Sequence, residues 1–543
     1  MIKGIERFSA GFRNGLVTIA ALFCLGACGG GGGGGNPPPP PPLAADEVRT
    51  AEGVYKGSIE GNLRVFRGLR FAAPPVGDLR FKAPAAPVAF TGTNDATAFK
   101  ANCFQPAGGG SAGEEDCLFL NLWSHNDDTV RPVLVFLHAG ESGNVGGGAS
   151  VTDGAMLAEN GDIIVATMNR RLHIFGSFAL DELIQESPRN TAGNYAVQDV
   201  QAALQWLRDN VDQFNGDPDR IILAGQSAGA KLLCYVLSSP DTAGLISAAI
   251  IQSAGCGEHL ALNDSIPIFS PFPNALIVHR PIVAAAGCDL AADPLQCLRD
   301  LPAADVLAAA QLIDLADGVR GTFGMIVDGI IVTSDPQTAL INETAGPIPI
   351  IVGSTNDESG GGLGSTPADD AEYQAFLNFI FGSPRDALIY AVYPTANFAS
   401  AAEAWRIFFE DWRRNCLAEE LARSASGNTP AYMYNFSRGF STGSRAGLGA
   451  IHSIDVPFLF ETYDLFGHTP DADDAAVTDA MQNAWTGLAS DPTAAPPYLP
   501  SGASSWPAFD INNIQIVNFN IPMTIDTVHR EGRCSLLREI ISF

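Results

Sequence analysis

The amino-acid sequence predicts an α/β protein in which helices cover both faces of a mostly parallel central sheet. Short apolar runs rich in β-branched residues alternate with longer helical stretches, and these runs lie at 133–137, 163–167, 221–223, 248–252 and 348–352. A helical periodicity across 195–211 separates two of the runs. Strands that alternate with helices pair in parallel and are buried on both faces. We find no internal repeat and no second linker, so one domain with insertions is the simplest organisation.

The N-terminus is predicted to be a processing segment followed by a tether. Residues 1–27 join a basic start to an apolar stretch too short to span a bilayer comfortably, which is typical of an export signal. The next residue, Cys28, completes a Leu-Gly-Ala-Cys sequence that resembles the lipobox of bacterial lipoproteins. The alternative is an ordinary signal peptide that happens to contain this cysteine. Residues 28–43 hold unbroken glycine and proline runs, which form flexible and then semi-rigid linkers.

These segments predict a folded domain over 44–543 in a protein that is exported. We expect it either as a lipoprotein of the bacterial cell envelope, at the outer membrane or cell surface, or as a secreted or periplasmic protein. The chain has 543 residues, of which 46% are hydrophobic, and this is enough for a large core. Its net charge of −28 at pH 7 argues against nucleic acid and against a basic membrane-binding surface. Membrane contact is therefore expected only through the N-terminal lipid.

The cysteines fit an oxidising compartment. Without Cys24 in the signal and Cys28 as the lipid site, eight of the ten cysteines remain, namely Cys103, Cys117, Cys234, Cys256, Cys288, Cys297, Cys416 and Cys534. An even number in an exported chain predicts disulfides, although spacing alone leaves their connectivity open. The sequence has no Cys-x-x-Cys and no histidine pair at helical spacing, so we expect no metal site.

The most informative motif is a Gly-x-Ser-x-Gly sequence centred on Ser227. An apolar, strand-like segment leads into it and an Ala/Leu-rich helical segment follows. A strand that turns sharply into a helix forces a strained backbone at the serine, and the small residues Gly225 and Gly229 relieve the crowding around it. The N–H groups of the new helix favour the negative charge that develops during acyl transfer. Ser227 is therefore the candidate nucleophile of an esterase.

A serine hydrolase of this kind carries its acid and then its histidine after the nucleophile. Of five histidines downstream of Ser227, His452 lies in a small-residue loop before an apolar segment, which suits an imidazole that reaches into a cleft. Asp357 and Glu358 directly follow the apolar run 348–352, where a loop opens at the carboxyl edge of the sheet. Chain order alone does not choose between these two carboxylates.

Several segments resemble the type-B carboxylesterase and cholinesterase family of α/β-hydrolases. The resemblance extends over 54–509 and is strongest in FRGLRFAAPPVG at 66–77, EDCLFLN at 115–121 and NGDP at 215–218. It implies an α/β-hydrolase fold with helical and loop insertions over the active site. It also assigns the catalytic acid to Glu358 and the histidine to His452.

The resemblance carries further expectations about supporting residues. Ser253, in the sequence IQSAG, is expected to place its hydroxyl near the catalytic acid. The family's disulfide pattern would join Cys103 with Cys117, Cys288 with Cys297, and Cys416 with Cys534. Cys234 and Cys256 are then left over, either free and buried or paired in a way that the family does not predict.

The expected oxyanion hole departs from the family. The sequence reads HAGES at 138–142, where the family has His-Gly-Gly-Gly/Ala-Phe. Because such holes use backbone N–H groups, Gly140, Glu141 and Ala228 can still supply three donors. A Glu141 carboxylate that points into the cleft would repel the oxyanion. Gln226 stands where the family often has Glu, so a carboxylate beside the nucleophile is lost and a choline-like cationic substrate is disfavoured.

The sequence therefore predicts an exported serine carboxylesterase that acts on small-molecule esters through a Ser-His-Glu triad, without cofactor or metal. Two alternatives are open, the first from a different class of function and the second a closer competitor. One is a catalytically impaired, cholinesterase-like binding or adhesion protein, which the carboxylate at Glu141 favours slightly. The other is a lipase or amidase of the same fold. The loop between Cys103 and Cys117 is rich in glycine and acid and would bind lipid poorly, so hydrolysis of soluble esters ranks above lipolysis.

Overall fold

A computed structural model describes residues 42–108, 110–140, 145–254, 261–262, 266–267, 272–316, 323–359, 366–499 and 504–541. Residues Leu43–Phe543 form one compact unit. The predicted signal, Cys28 and most of the tether lie outside the described residues, as do Glu141 and Cys256. Within the described ranges, no helix combines the length and the apolar character that crossing a membrane requires.

The strands of the described ranges are, in chain order, β1 Glu47–Arg49, β2 Val54–Lys56, β3 Ser58–Glu60, β4 Leu63–Arg70, β5 Thr93–Asp95, β6 Gln105–Ala107, β7 Gly110–Ala112, β8 Phe119–His125, β9 Arg131–Leu137, β10 Ile164–Met168, β11 Gly216–Gln226, β12 Ala248–Gln252, β13 Ala261–Leu262, β14 Ile266–Pro267, β15 Ile350–Thr355, β16 Ala431–Phe436, β17 Ile516–Phe519 and β18 Thr524–Asp526. Eleven of these described strands form one sheet in the order β18-β17-β16-β15-β12-β11-β9-β10-β8-β4-β3. Its middle, from β17 to β10, is parallel, and antiparallel strands flank it on both sides.

The α-helices of the described ranges are α1 Ala155–Gly161, α2 His173–Gly176, α3 Asp181–Glu186, α4 Tyr195–Asn210, α5 Ala228–Leu237, α6 Phe272–Ala285, α7 Pro294–Asp300, α8 Ala303–Ala316, α9 Pro336–Ile341, α10 Asp370–Phe381, α11 Arg385–Val392, α12 Ala401–Glu410, α13 Cys416–Ser426, α14 Asp455–Phe460, α15 Ala472–Ser490 and α16 Arg533–Ile540. A π-helical segment, Asp411–Asn415, joins α12 to α13.

The central strands are buried on both faces, which explains their nearly continuous apolar sequences. In β9, Val133, Val135 and Leu137 pack in the core layer that includes α4, α5 and α13. The alternate residues Leu134 and Phe136 pack in the opposite layer with α1, α14 and α15. This two-residue alternation is the normal geometry of a strand between two helical layers. The predicted α/β architecture, an α/β-hydrolase fold, is confirmed.

The predicted elements lie close to the observed ones. The helix predicted over 195–211 is α4, and the runs at 133–137, 163–167 and 248–252 fall on β9, β10 and β12. The run at 221–223 is part of a longer strand, β11, whereas the run at 348–352 overlaps β15, which begins at Ile350 and ends at Thr355. Both strands continue beyond their apolar runs, β11 to the Gly-x-Ser-x-Gly turn and β15 towards the acid segment. The apolar pattern did not predict these strand ends because they contain polar residues.

Disulfides join the ends of several peripheral elements. The three pairs implied by the resemblance are present, namely Cys103–Cys117, Cys288–Cys297 and Cys416–Cys534. Cys416–Cys534 connects the start of α13 to α16 near the end of the chain. Cys234, which is buried in α5, also takes part in a disulfide, and its partner lies outside the described residues.

Candidate active site

Ser227 lies at the turn between β11 and α5, at the carboxyl edge of the sheet. Its backbone has φ 55° and ψ −121°, a strained conformation for a residue with a side chain. A Cβ atom at Gly225 would lie 2.8 Å from the carbonyl carbon of Gly229, and one at Gly229 would lie 2.6 Å from the carbonyl oxygen of His138. Only glycine fits at these two positions, as the motif predicted.

His452 lies between Ser227 and Glu358 and contacts both. Its Nε2 atom is 2.8 Å from the Ser227 Oγ atom, and its Nδ1 atom is 2.5 Å from the Glu358 Oε2 atom. The His452 side chain is 30% exposed whereas that of Glu358 is 2% exposed, so the histidine faces the cleft and the acid lies behind it. The structure therefore brings together the three residues that the sequence nominated.

Glu358 is held in the acid loop, which we define as residues 355–359. Its second oxygen, Oε1, accepts a hydrogen bond of 2.8 Å from the Thr355 backbone N–H. Burial raises the pKa of Glu358, but the His452 charge and hydrogen bond, with smaller contributions from Arg414 and Ser253, lower it to about 2. The Ser253 Oγ atom is buried without a well-aligned hydrogen bond, yet it is close enough to contribute to this lowering. Glu358 thus remains ionised near neutral pH.

Asp357, the other carboxylate left open by chain order, has a different set of contacts. Its backbone N–H donates to the Ala450 carbonyl at 3.0 Å, and its Oδ2 atom accepts from the Ala450 N–H at 2.9 Å. These bonds join the acid loop to the histidine loop, which we define as residues 449–454. A Cβ at Gly449, where φ is 79°, would meet the Asp357 carboxylate. Asp357 therefore fastens the loop that carries His452, while Glu358 faces the imidazole.

The 138–140 loop, which directly follows β9, carries Gly140, one of the expected oxyanion donors. Gly140 has φ 79°, where a side chain is disfavoured, whereas Ala139 has no positive φ and accommodates its methyl group. No described residue accepts a hydrogen bond from the N–H group of Gly140 or of Ala228. The expected third donor, Glu141, lies outside the described residues.

Gln226 precedes the nucleophile and is completely buried. Its Oε1 atom accepts a hydrogen bond of 2.9 Å from the Ser453 hydroxyl, which lies next to His452. Its Nε2 atom is buried and has no hydrogen-bond partner among the described residues. The glutamine therefore links the two catalytic segments without adding a charge to the cleft.

A buried polar network that our sequence analysis did not assign lies behind the histidine loop. Asp455, three residues after His452, accepts a hydrogen bond of 2.9 Å from Gln252 and one of 3.3 Å from the Tyr434 hydroxyl. Burial, with an added contribution from the nearby Glu358 charge, raises the pKa of Asp455 to about 6. The available signal was a carboxylate three residues after the histidine, at the start of an otherwise apolar segment.

The described residues contain one cluster with the donor types of a metal site, Glu419, His529 and Cys534. These residues do not fit a metal ion. Cys534 is in a disulfide and has no thiolate to offer, and Glu419 already pairs with Arg423 and Arg538. Glu419 lies in α13 and Cys534 in α16, and neither helix carries Ser227, His452 or Glu358.

The class of protein follows from these features. A largely parallel sheet that presents a serine at a strand–helix turn, facing a histidine and an acid from later loops, defines an α/β-hydrolase. A sequence model described as the Carboxylesterase family matches residues 44–537. The chain belongs to this family of type-B carboxylesterases and cholinesterases, and it is a carboxylic ester hydrolase.

Individual relatives agree with this assignment. The chain is 32% identical to Fumonisin B1 esterase of Sphingopyxis macrogoltabida over 461 aligned residues, and the alignment covers 81% of each chain. It is 28% identical to Para-nitrobenzyl esterase of Bacillus subtilis over 501 aligned residues, and the alignment covers 88% of this chain and 96% of the relative. Among solved structures, a thermophilic PNB esterase aligns with a TM-score of 0.78 and 26% identity, over 91% of this chain and 100% of that chain.

Proposed function

We propose that the protein hydrolyses small-molecule carboxylic esters through Ser227, His452 and Glu358, with an acyl-enzyme intermediate. The observation that carries the proposal is the position of His452, which is within hydrogen-bond distance of both the Ser227 hydroxyl and the Glu358 carboxylate. A nucleophile, its base and a group that orients the base are the minimum set for covalent acyl transfer.

The chemistry follows from the protons that these groups can exchange. His452 Nε2 takes the Ser227 proton as the serine oxygen attacks the ester carbonyl, and Glu358 stabilises the imidazolium that results. The tetrahedral intermediate collapses, and the imidazolium gives its proton to the leaving alkoxide. A water molecule then attacks the acyl-enzyme while His452 removes its proton, and the imidazolium returns that proton to the Ser227 oxygen as the bond between Ser227 and the acyl group breaks and the acid is released. His452 carries every proton transfer, so the scheme uses no metal ion or cofactor.

The negative oxygen of the tetrahedral intermediate would be stabilised by backbone N–H groups. Gly140 and Ala228 both have an N–H that no described residue uses, and Ala228 is also the first residue of α5, where the helix dipole favours negative charge. The Glu141 N–H is the proposed third donor. Neutral Gln226 beside the nucleophile favours uncharged esters over cationic ones.

The experiment that tests this proposal compares the full chain with Ser227→Ala on p-nitrophenyl esters of increasing acyl length, after production in an oxidising compartment. We expect the substitution to remove at least about 10⁴-fold of kcat, because the covalent step has no other nucleophile. Matching melting temperatures would show that both proteins are folded. Equal activity of the two proteins would refute Ser227 as the nucleophile. A folded wild type without activity towards any ester would favour the binding-protein alternative.

We also propose that the chain is exported and lipidated on Cys28. The signal-like residues 1–27, the lipobox-like sequence and the glycine and proline runs support this, and disulfides such as Cys416–Cys534 suit an oxidising compartment. Lipidated protein should partition into detergent, and Cys28→Ser should move it to the aqueous phase. A wild-type protein that remains in the aqueous phase and retains residues 1–27 would refute both the export and the lipidation.

A further inference from the structure

Arg170 follows β10 and lies against the 138–140 loop. Its Nη1 atom is 2.7 Å from Nε2 and 3.2 Å from Nδ1 of the His138 ring, and it donates to the His138 carbonyl at 3.3 Å. Its Nη2 atom donates to the Gly140 carbonyl at 3.2 Å. Arg170 and His138 are each only 3% exposed, so these contacts are shielded from water. We propose that Arg170 is a positioning residue that orients the oxyanion donor Gly140 through His138, an inference that rests on the proposed function.

The contacts fix which nitrogen of His138 carries a proton. His138 Nδ1 lies 2.9 Å from the Ala139 carbonyl oxygen, which can only accept, so Nδ1 is the donor. The Arg170 guanidinium can only donate, so the nitrogen closest to it, Nε2, carries no proton. Burial, followed by the Arg170 charge, lowers the pKa of His138 well below its ordinary value, which keeps the ring neutral. Arg170 thereby maintains the one tautomer that can bind the Ala139 carbonyl.

The tautomer matters because a peptide bond is planar. The Ala139 carbonyl and the Gly140 N–H belong to the same trans peptide unit and point in opposite directions. When the His138 ring holds that carbonyl, the Gly140 N–H must point away from the ring. Arg170 also holds the carbonyls of His138 and Gly140, on either side of this unit. The peptide that supplies the donor therefore has little freedom to rotate.

The sheet brings Arg170 to this loop. Strands β9 and β10 are parallel neighbours in which Leu137 pairs with Met168, so the residues that follow leave the sheet side by side. Arg170 also lines a small pocket together with Ala228, the other proposed donor with a described position. The next residue, Arg171, forms a buried ion pair with Asp199 and has a separate structural role.

The test uses Arg170→Lys and Arg170→Met in the full chain, with Arg64→Met as the matched control. Arg64 is a partly buried arginine that donates to the Glu47 carbonyl from β4. We expect each Arg170 variant to lower kcat about 10- to 100-fold, somewhat less than the loss of a complete oxyanion donor. KM should change by less than about threefold, because the ground-state carbonyl needs the donor less than the oxyanion does. A trifluoromethyl ketone, whose adduct with Ser227 bears an oxyanion, should lose affinity by the same factor as kcat/KM.

A second pair of variants tests the role of the ring. His138→Asn keeps an N–H donor near the Nδ1 position and should retain more kcat than His138→Leu, which removes it. Unchanged kcat and unchanged ketone affinity in Arg170→Lys would overturn the inference, as would a loss confined to KM. If Arg170→Met does not fold, the kinetics of Arg170→Lys, His138→Asn and His138→Leu test the inference instead. Ser227→Ala in the same assay separates the two proposals, since activity that survives it refutes the proposed function rather than the role of Arg170.

Discussion

The active site contains two differently constructed regions. The acid loop and the histidine loop are joined by a backbone hydrogen bond, from the Asp357 N–H to the Ala450 carbonyl, and by the Asp357 carboxylate, which accepts from the Ala450 N–H. The 138–140 loop is instead held by side chains, chiefly Arg170 acting on His138 and on two carbonyls. Backbone bonds survive most substitutions, whereas a loop held by one side chain depends on that residue. The Ser-His-Glu geometry should therefore tolerate most substitutions of neighbouring residues, whereas oxyanion stabilisation should be sensitive to substitution of Arg170.

Among the substitutions that distinguish these two regions, the largest expected effect is at Glu358, on the acid–histidine side. Glu358→Gln keeps the size of the side chain but removes the charge that stabilises the His452 imidazolium and selects its tautomer. We expect kcat to fall by about 10³- to 10⁴-fold, or about 4 to 5.5 kcal/mol, with little change in melting temperature. Steady-state kinetics with p-nitrophenyl butyrate measure it. A decrease of less than tenfold would remove Glu358 from the proposed triad.

The two regions also differ in how far the sequence predicted them. The turn at Ser227 is encoded by five consecutive residues, so local sequence was sufficient. His452 and Glu358 lie in separate loops, and chain order left Asp357 open until the family resemblance chose Glu358. The Arg170–His138 contact depends on which strands are neighbours and on their register, which a single sequence does not give. The sequence did not predict a role for Asp455 for a related reason. Its partners Gln252 and Tyr434 come from β12 and β16, which are far from it in the chain.

A second prediction sharpens the comparison through pH. The histidine loop is followed by Asp455, whose pKa is raised to about 6, whereas burial lowers the pKa of His138, beside the 138–140 loop, well below its ordinary value. Unfolded Asp455 would ionise near pH 4, so between about pH 4 and 6 this residue binds fewer protons in the unfolded state, and its contribution to wild-type stability falls as pH rises. The shift of about two units corresponds to about 3 kcal/mol.

Asp455→Asn should remove this dependence, because an amide can still accept from Gln252 and Tyr434 but cannot ionise. We expect its free energy of unfolding to gain up to about 3 kcal/mol relative to the wild type as pH rises from 4 to 7. Urea unfolding at several pH values measures the difference. Asp78→Asn, at an exposed carboxylate, is the control and should follow the wild-type curve. Parallel curves for wild type and Asp455→Asn would contradict the raised pKa.

The smallest expected effect concerns the carboxylate next to Glu358. Asp357→Asn retains an oxygen that accepts from the Ala450 N–H, so kcat should stay within about threefold of the wild type. Asp357→Ala loses that bond and should destabilise the fold by about 1 to 2 kcal/mol, with kcat about tenfold lower because the histidine loop is less constrained. Denaturant unfolding and kinetics on the same preparations measure both effects. Because Asp357→Asn and Glu358→Gln are the same chemical change at adjacent positions, equal losses of kcat would mean that Asp357 also acts on His452. Unequal losses of the predicted size would separate fastening the loop from orienting the imidazole.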